Sequence, residues 1–296
     1  MPFVRVLGVR IDVVDYDKTK SLIKNCISGH SAGNYICVCP VHPIMVAQKD
    51  EELKEAFENS WLTVADGKPV AWAARLLGAS IKNTVRGTNL TLQVLEVAER
   101  EGYSIFLYGS TEDTLGKLKG NLLKRFPRLR IVGTFSPPFR DLTEHERAGI
   151  IDMINSASPD VLFVGLGAPK QEKWMASCCS SINVPVTLGV GAAFDFLSDG
   201  KKEAPLWMQG AGIEWLFRLM SEPGRLWVRY VVYNPLYIFL IIRQLLRKKV
   251  FQARFKLTRI SGYQASPYGL GNSRGHSSSR SPEPASPNLY ERSDCP

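Results

Sequence analysis

Short apolar runs alternate with amphipathic stretches along most of this chain. Strand-length runs fall at Tyr35–Val38, Leu62–Ala65, Ile105–Tyr108, Ile131–Thr134, Val161–Val164 and Val186–Val190. Stretches with helical spacing lie between them, at about 43–58, 68–78, 89–101, 112–126, 143–157 and 169–181. Ahead of these, Val4 to Val13 reads as a short strand pair around Gly8. The alternation predicts an α/β fold with a doubly wound, mostly parallel sheet and helices on both faces. Ligands of such sheets sit beyond the carboxyl ends of the strands. Asp66-Gly67, Gly109-Ser110 and Gly165-Leu166-Gly167 each follow a predicted strand and are expected to meet at one rim.

After Gly200 the texture changes. Ala204–Met220 is aromatic and helical, and Pro223 begins a second segment. Tyr230–Ile242 carries no charge and is flanked by Arg229 and Arg243. A spanning helix needs about 20 apolar residues, so this run is too short, and Pro235 interrupts it. Aromatic residues within it and basic residues beyond it predict an interfacial helix lying on an anionic membrane surface. The competing reading is a helix packed on the core with a solvated basic end. From Ser261 the chain is rich in Ser, Pro, Gly and Arg, a composition that predicts disorder. The expected organisation is an α/β domain over 1–200, a basic amphipathic appendage over 201–260 and a disordered tail over 261–296.

Charge sharpens this division. The net charge is +9, and residues 201–260 hold twelve Lys or Arg against three Glu, so that segment carries the whole excess. A localised basic patch implies a localised anionic partner. Its basic residues flank an apolar aromatic run instead of forming an exposed stripe, which argues against nucleic acid. The six cysteines form no disulfide or zinc pattern, and the four histidines do not cluster. No metal site is expected. The amino-terminal residues lack the apolar core of a signal peptide, so a cytoplasmic location is expected.

Candidate chemistry gathers at the strand ends. Residues 159–175 give a strand, a turn with Gly165 and Gly167, and then Pro169 with Lys170, Gln171 and Glu172 on a first helical turn. Free backbone N–H groups and a helix amino terminus meet there, as at many anion sites; an ordinary strand-to-helix connection is the alternative. Asp66, straight after a strand, suits a general base or a sugar contact; it equally suits a helix cap. Arg86, beside a glycine and ahead of a helix, suits a phosphate or carboxylate contact; the alternative is a surface salt bridge. In the turn Gly189-Val190-Gly191-Ala192-Ala193-Phe194-Asp195-Phe196, Asp195 suits a ribose or base contact or a buried structural role. Neither turn is a Walker loop or a full dinucleotide fingerprint. No Asp-x-Asp pair follows a strand, so no divalent cation bridging a diphosphate is implied. Arg218, Arg225 and Arg229 are available to neutralise such a leaving group instead.

Together these segments resemble the WecG/TagA/CpsF family of bacterial glycosyltransferases (glycosyltransferase family 26) over about residues 4–240. The resemblance rests on Ala65-Asp66-Gly67-Lys68-Pro69-Val70, Arg86-Gly87-Thr88-Asn89-Leu90, the 159–175 run and Gly189–Ser198. It continues through Ala204-Pro205-Leu206-Trp207-Met208-Gln209, Glu214-Trp215-Leu216-Phe217-Arg218 and Glu222-Pro223. It implies inverting transfer of a sugar, typically N-acetylmannosamine, from a UDP donor. The implied acceptor is an undecaprenyl-diphosphate-linked sugar at the cytoplasmic membrane face, for teichoic acid, common antigen, capsule or exopolysaccharide. By resemblance Asp66 takes the place of the catalytic base, and Arg86 and Gln171 match active-site residues. Arg218, Arg225 and Arg229 match arginines that close over the diphosphate.

Three positions depart from the family pattern. Val38-Cys39-Pro40 stands where members commonly carry Thr-x-Asn, Asn89 replaces an Asp, and Glu203 replaces an Arg. The first change removes a hydroxyl and an amide from the expected sugar pocket. A glucose-type donor for exopolysaccharide and a non-catalytic UDP-binding membrane protein are therefore carried as alternatives. The expected catalytic residue is Asp66. The expected substrate contacts are Arg86, Asn89, Gly109, Gly165, Gly167, Lys170, Gln171, Glu172, Asp195, Arg218, Arg225 and Arg229. No cofactor is expected, and a homo-oligomer is left open.

Overall fold

The computed structural model describes residues 1–201 and 203–261; of the tail expected over 261–296, everything from 262 on lies outside the described residues. The chain opens with an antiparallel hairpin, β1 (Phe3–Val6) and β2 (Val9–Asp12), followed by helix α1 (Tyr16–Ser28). Next come β3 (Asn34–Cys39), α2 (Val41–Val46), α3 (Glu51–Glu58), β4 (Leu62–Ala65), α4 (Lys68–Leu76) and α5 (Gly87–Glu101). The alternation continues with β5 (Ser104–Gly109), α6 (Glu112–Arg125), β6 (Arg130–Phe135), α7 (Glu144–Ala157), β7 (Val161–Gly165), α8 (Lys170–Cys178) and β8 (Val186–Gly189). A short helix α9 (Ala193–Leu197) precedes the C-terminal segment of α10 (Leu206–Ala211), α11 (Glu214–Ser221), α12 (Pro223–Trp227) and α13 (Tyr233–Ser261).

Strands β3 to β8 form one six-stranded sheet in the order β4-β3-β8-β7-β5-β6, parallel throughout. Side chains alternate across a strand, and the core divides accordingly. Tyr35, Cys37, Cys39, Phe106, Tyr108, Leu162 and Val164 share one buried cluster, while Ile36, Val38, Ile105, Leu107, Val161 and Phe163 belong to another. Helices therefore cover both faces, as the pattern predicts.

The hairpin covers the β4 edge, which would otherwise offer free backbone groups. Arg10 and Asp12 form a buried ion pair at 2.6 Å, and Asp12 Oδ2 accepts the Thr63 N–H at 2.8 Å. At the centre of the rim, Gly109 on β5 has φ +118°, and a Cβ there would stand 2.6 Å from the Gly165 carbonyl carbon. Gly109 thus lets β5 and β7 end side by side.

Some elements differ from the pattern. The helix expected over 43–58 is two helices: α2 ends at Val46, and Asp50 caps α3, its side chain accepting the Leu53 N–H at 3.0 Å. Helix α1 is not signalled by apolar spacing, since its buried positions include Thr19 and Cys26 beside Ile23 and Ile27. Its start is marked by Asp15, whose side chain accepts from Lys18 N. Pro235 does not interrupt the C-terminal helix; it falls in the first turn of α13. The irregularity lies just before it, in a π-helical turn over Val228–Val232. Proline clashes with the carbonyl four residues back, and a widened turn upstream relieves that clash.

The packed-helix reading of the 230–242 run holds along one side. Tyr237 and Ile241 are buried in the core cluster, and Tyr233 and Leu245 pack against it, a stripe at every fourth residue. The opposite side leaves Val231, Leu236, Ile238, Phe239, Ile242 and Leu246 exposed. Among the described residues no helix is long and apolar enough to cross a membrane.

Candidate active site

A cleft of about 610 Å³ opens at the carboxyl ends of the strands, roofed by the C-terminal segment. Asp66, Arg86, Gly165, Gly167, Lys170, Gln171, Asp195, Arg218, Arg225 and Arg229 all line it. Residues from five separate stretches of sequence thus meet in one place, because the strands of the parallel sheet end at this rim and the C-terminal segment lies over it.

Asp66 leaves β4 with its N–H donated to Cys39 O at 3.1 Å, and Gly67 takes φ +77° to turn the chain into α4. Gly67 is the cap residue of α4 and no side chain caps that helix, so the cap reading of Asp66 fails. The Asp66 carboxyl is pushed up to about 6, first by burial and then by the Glu214 carboxylate. Arg218, Arg86 and the Gly67 N–H act against that rise. A carboxylate poised so close to neutral pH suits proton abstraction.

Arg86 sits at the start of α5. Its N–H donates to the Tyr16 hydroxyl at 2.8 Å, and its guanidinium reaches the Gln209 amide and, at 3.1 Å, Glu214. It is both a salt-bridge partner and a cleft residue. Arg218 Nε lies 3.7 Å from Glu214, and its guanidinium stands 4.8 Å over the Phe196 ring. Arg225 pairs with Glu222 at 2.6 Å. Arg229 comes from the π-helical turn and donates to His42 Nδ1 at 3.1 Å. Burial and the nearby Arg229 hold the His42 imidazole neutral, down to about 4, which leaves that nitrogen free to accept. Asp195 is half-buried and bound to Lys201 at 2.6 Å, so it is not a buried structural carboxylate.

Gln171 lies under the two glycine turns. Its Oε1 accepts the Gly167 N–H at 3.2 Å, and a Cβ on Gly191 would come within 3.2 Å of the same oxygen. The glycines at 189 and 191 therefore make room for the Gln171 amide.

Three expected contacts do not line the cleft. Gly109 packs against Gly165, and its neighbours Ser110 and Thr111 line the cleft instead. Asn89 bonds the Tyr16 hydroxyl and so backs Arg86 from behind. Glu172 is fully buried under the floor; its Oε1 accepts from the Gln171 amide at 3.0 Å and its Oε2 has no partner. A residue on the first helical turn points either to the ligand or into the core, and spacing alone does not say which. Ser110, expected at the rim, lines the cleft; His42 and Lys201 line it as well and carry no signal in the motifs. His42 lies on the first turn of the helix that follows β3, and the stretch just beyond a strand end is the signal that points to it.

Burial pushes the Glu172 carboxyl up to about 7, against an ordinary 4.5. The folded state then holds a proton that the unfolded chain releases above its own value. The resulting stabilisation is whole below pH 4.5 and is lost as pH rises through about 7. Glu172→Gln is expected to be more stable than wild type at pH 8, by on the order of 3 kcal/mol, and no more stable at pH 4. Urea unfolding at the two pH values reads the difference.

Among the described residues no group of three or more His, Cys, Asp or Glu could hold a metal ion. The cationic groups of the cleft are arginines and lysines, a donor set that matches a phosphate-bearing ligand.

Comparison with known proteins identifies the family. A family model described as the glycosyl transferase WecG/TagA/CpsF family matches residues 4–251. The chain is 29% identical over 205 residues to an N-acetylglucosaminyldiphosphoundecaprenol N-acetyl-beta-D-mannosaminyltransferase of Bacillus subtilis, covering 69% of this chain and 77% of the relative. It is 26% identical over 225 residues to the enzyme of that description from Staphylococcus aureus strain MW2, covering 73% and 87%.

Proposed function

Because the chain belongs to the WecG/TagA/CpsF family of glycosyl transferases, we propose that it moves an N-acetylhexosamine, N-acetylmannosamine by preference, from a UDP donor. The acceptor is a sugar carried on undecaprenyl diphosphate, and the product serves a cell-surface polysaccharide. The observation that carries this reading is Asp66, held near neutral proton affinity on the floor of a cleft whose roof supplies Arg218, Arg225 and Arg229.

In the proposed reaction Asp66 accepts the proton of the acceptor hydroxyl. The oxygen attacks the anomeric carbon from the face opposite the diphosphate, the bond to the UDP oxygen breaks, and the configuration inverts. The departing UDP takes the electron pair, and the arginines of the roof neutralise it without a metal ion. The Bacillus subtilis and Staphylococcus aureus relatives are described as N-acetylmannosaminyltransferases acting on N-acetylglucosaminyldiphosphoundecaprenol, which supports this choice of donor and acceptor. Val38 and Pro40 line the cleft and offer no side-chain hydrogen bond, and they favour a glucose-type donor as the second reading. Transfer assays with the full chain, a series of UDP-sugars and a lipid-diphosphate acceptor separate the two.

In this reading the enzyme works peripherally on the inner membrane face, where it would meet a lipid-linked acceptor. Exposed Val231, Ile238, Phe239 and Ile242 on the C-terminal segment form the apolar side, with Arg243 and Arg247 close by. An exposed apolar surface of this kind marks an interaction site. Each large apolar side chain is worth about 1.5–3 kcal/mol of burial, so Ile238→Glu with Phe239→Glu is expected to weaken binding to anionic vesicles at least about 100-fold. Vesicle co-sedimentation reads this, and unchanged binding would contradict the membrane assignment.

A further inference from the structure

Glu214 opens α11, and its carboxylate stands between two arginines of the cleft. Arg86 Nη2 lies 3.1 Å from Glu214 Oε2, and Arg218 Nε lies 3.7 Å from Oε1. Arg86 belongs to the loop before α5 and Arg218 to the C-terminal roof, so one carboxylate joins both sides of the site. Glu214 and Asp66 line both the main cleft and a smaller cavity of about 150 Å³ beside it. We propose that Glu214 is a positioning residue for the transfer: it holds Arg86 and Arg218 beside Asp66 and offsets their charge at the Asp66 carboxylate. This rests on the transferase reading, in which Asp66 takes the proton.

The groups facing Asp66 come from four elements and its own turn. They are Glu214 and Arg218 of α11, Arg86 before α5, Tyr16 of α1, Cys39 of β3 and the Gly67 N–H. Burial keeps the Tyr16 hydroxyl and the Cys39 thiol protonated, so neither contributes charge. Burial raises the Asp66 carboxyl first, but two guanidiniums with no carboxylate between them would draw it back toward the ionised form and make it a weaker base. They cannot be dispensed with, since the cleft needs cations for a diphosphate. A fixed carboxylate between them reconciles both needs. It keeps two like charges from spreading apart and returns proton affinity to Asp66.

The test is a titration of the Asp66 carboxyl by carbon-13 NMR on the full chain without substrates, its signal assigned by its loss in Asp66→Asn. Glu214→Gln keeps shape and an acceptor but removes the charge. Its Asp66 midpoint is expected to fall by about one pH unit, with the acid limb of kcat/KM moving the same way. Glu214→Ala is expected to shift the midpoint in the same direction, and Glu214→Asp, which keeps the charge, to stay near wild type. A midpoint unmoved in both Gln and Ala variants overturns the proposal, as does lost activity with an unmoved midpoint, which is the mark of a merely structural role. A wild-type protein that transfers no sugar contradicts the transferase reading instead, and the NMR midpoints still decide the effect of Glu214 on Asp66.

Discussion

Asp66→Asn is expected to lower kcat about 10²–10⁴-fold, the range for loss of a positioned general base, while UDP binding stays near wild type. The asparagine is nearly the same size and still accepts the Gly67 N–H, so packing is preserved. What disappears is the capacity to hold a proton. The same residue fixes the pH dependence of the wild-type enzyme. With its carboxyl pushed up to about 6, Asp66 is ionised and competent above that value and is progressively protonated below it. Wild-type kcat/KM is therefore expected to fall as pH drops through about 6, and the residual activity of Asp66→Asn to show no such limb. Steady-state rates from pH 5 to 8 with a single donor check both statements. An acid limb retained in the variant would assign it to another group, and full turnover would remove Asp66 from the chemistry.

The second large effect concerns the leaving group. Arg229 lines both cavities beside Asp66, and among the described residues it pairs with no carboxylate, whereas Arg86, Arg218 and Arg225 each do. Its partner is the neutral His42, so its full charge is available to a diphosphate. Burial and the neighbouring Arg225 and Arg218 lower its own proton affinity, and an arriving anion relieves that crowding. Arg229→Ala is expected to reduce kcat about 10²–10³-fold, as removal of a preorganised charge-stabilising donor does. Arg229→Lys should recover only part, because a lysine lacks the planar fork that engages two oxygens. EDTA should leave the wild-type rate unchanged. A rate restored by magnesium after EDTA treatment would assign the leaving-group charge to a metal.

Much of this site was legible in the sequence because it follows from topology. Once the β–α alternation is read as a parallel sheet, every strand must end at one rim, and Asp66, Gly165, Gly167 and the 189–195 turn fall together without further assumption. The C-terminal arginines were legible as a charge concentration; their place on the roof was not, because it depends on how α11 and the π-helical turn dock. The failures have a common physical source. Gly109 and Glu172 lie beside true cleft residues, and only the packing of Gly165 and the direction of the first turn of α8 decide that they face inward. Asn89 matters at one remove, through Tyr16, a link between residues 70 positions apart in the case of Arg86. Helix α1 carries too few apolar positions for periodicity to signal it, and the start of α3 after Asp50 is a capping decision that competes with the apolar pattern around it.

The most direct test is transfer itself. The full chain, in EDTA, is incubated with UDP-N-acetylmannosamine and N-acetylglucosaminyl-diphosphoundecaprenol, and the lipid product is read by mass spectrometry beside the Asp66→Asn variant. The account predicts a lipid lengthened by one N-acetylhexosamine with the wild type and none with the variant on the same time scale. UDP bound by the wild type, with no sugar transferred from this donor or any other UDP-sugar, would contradict it.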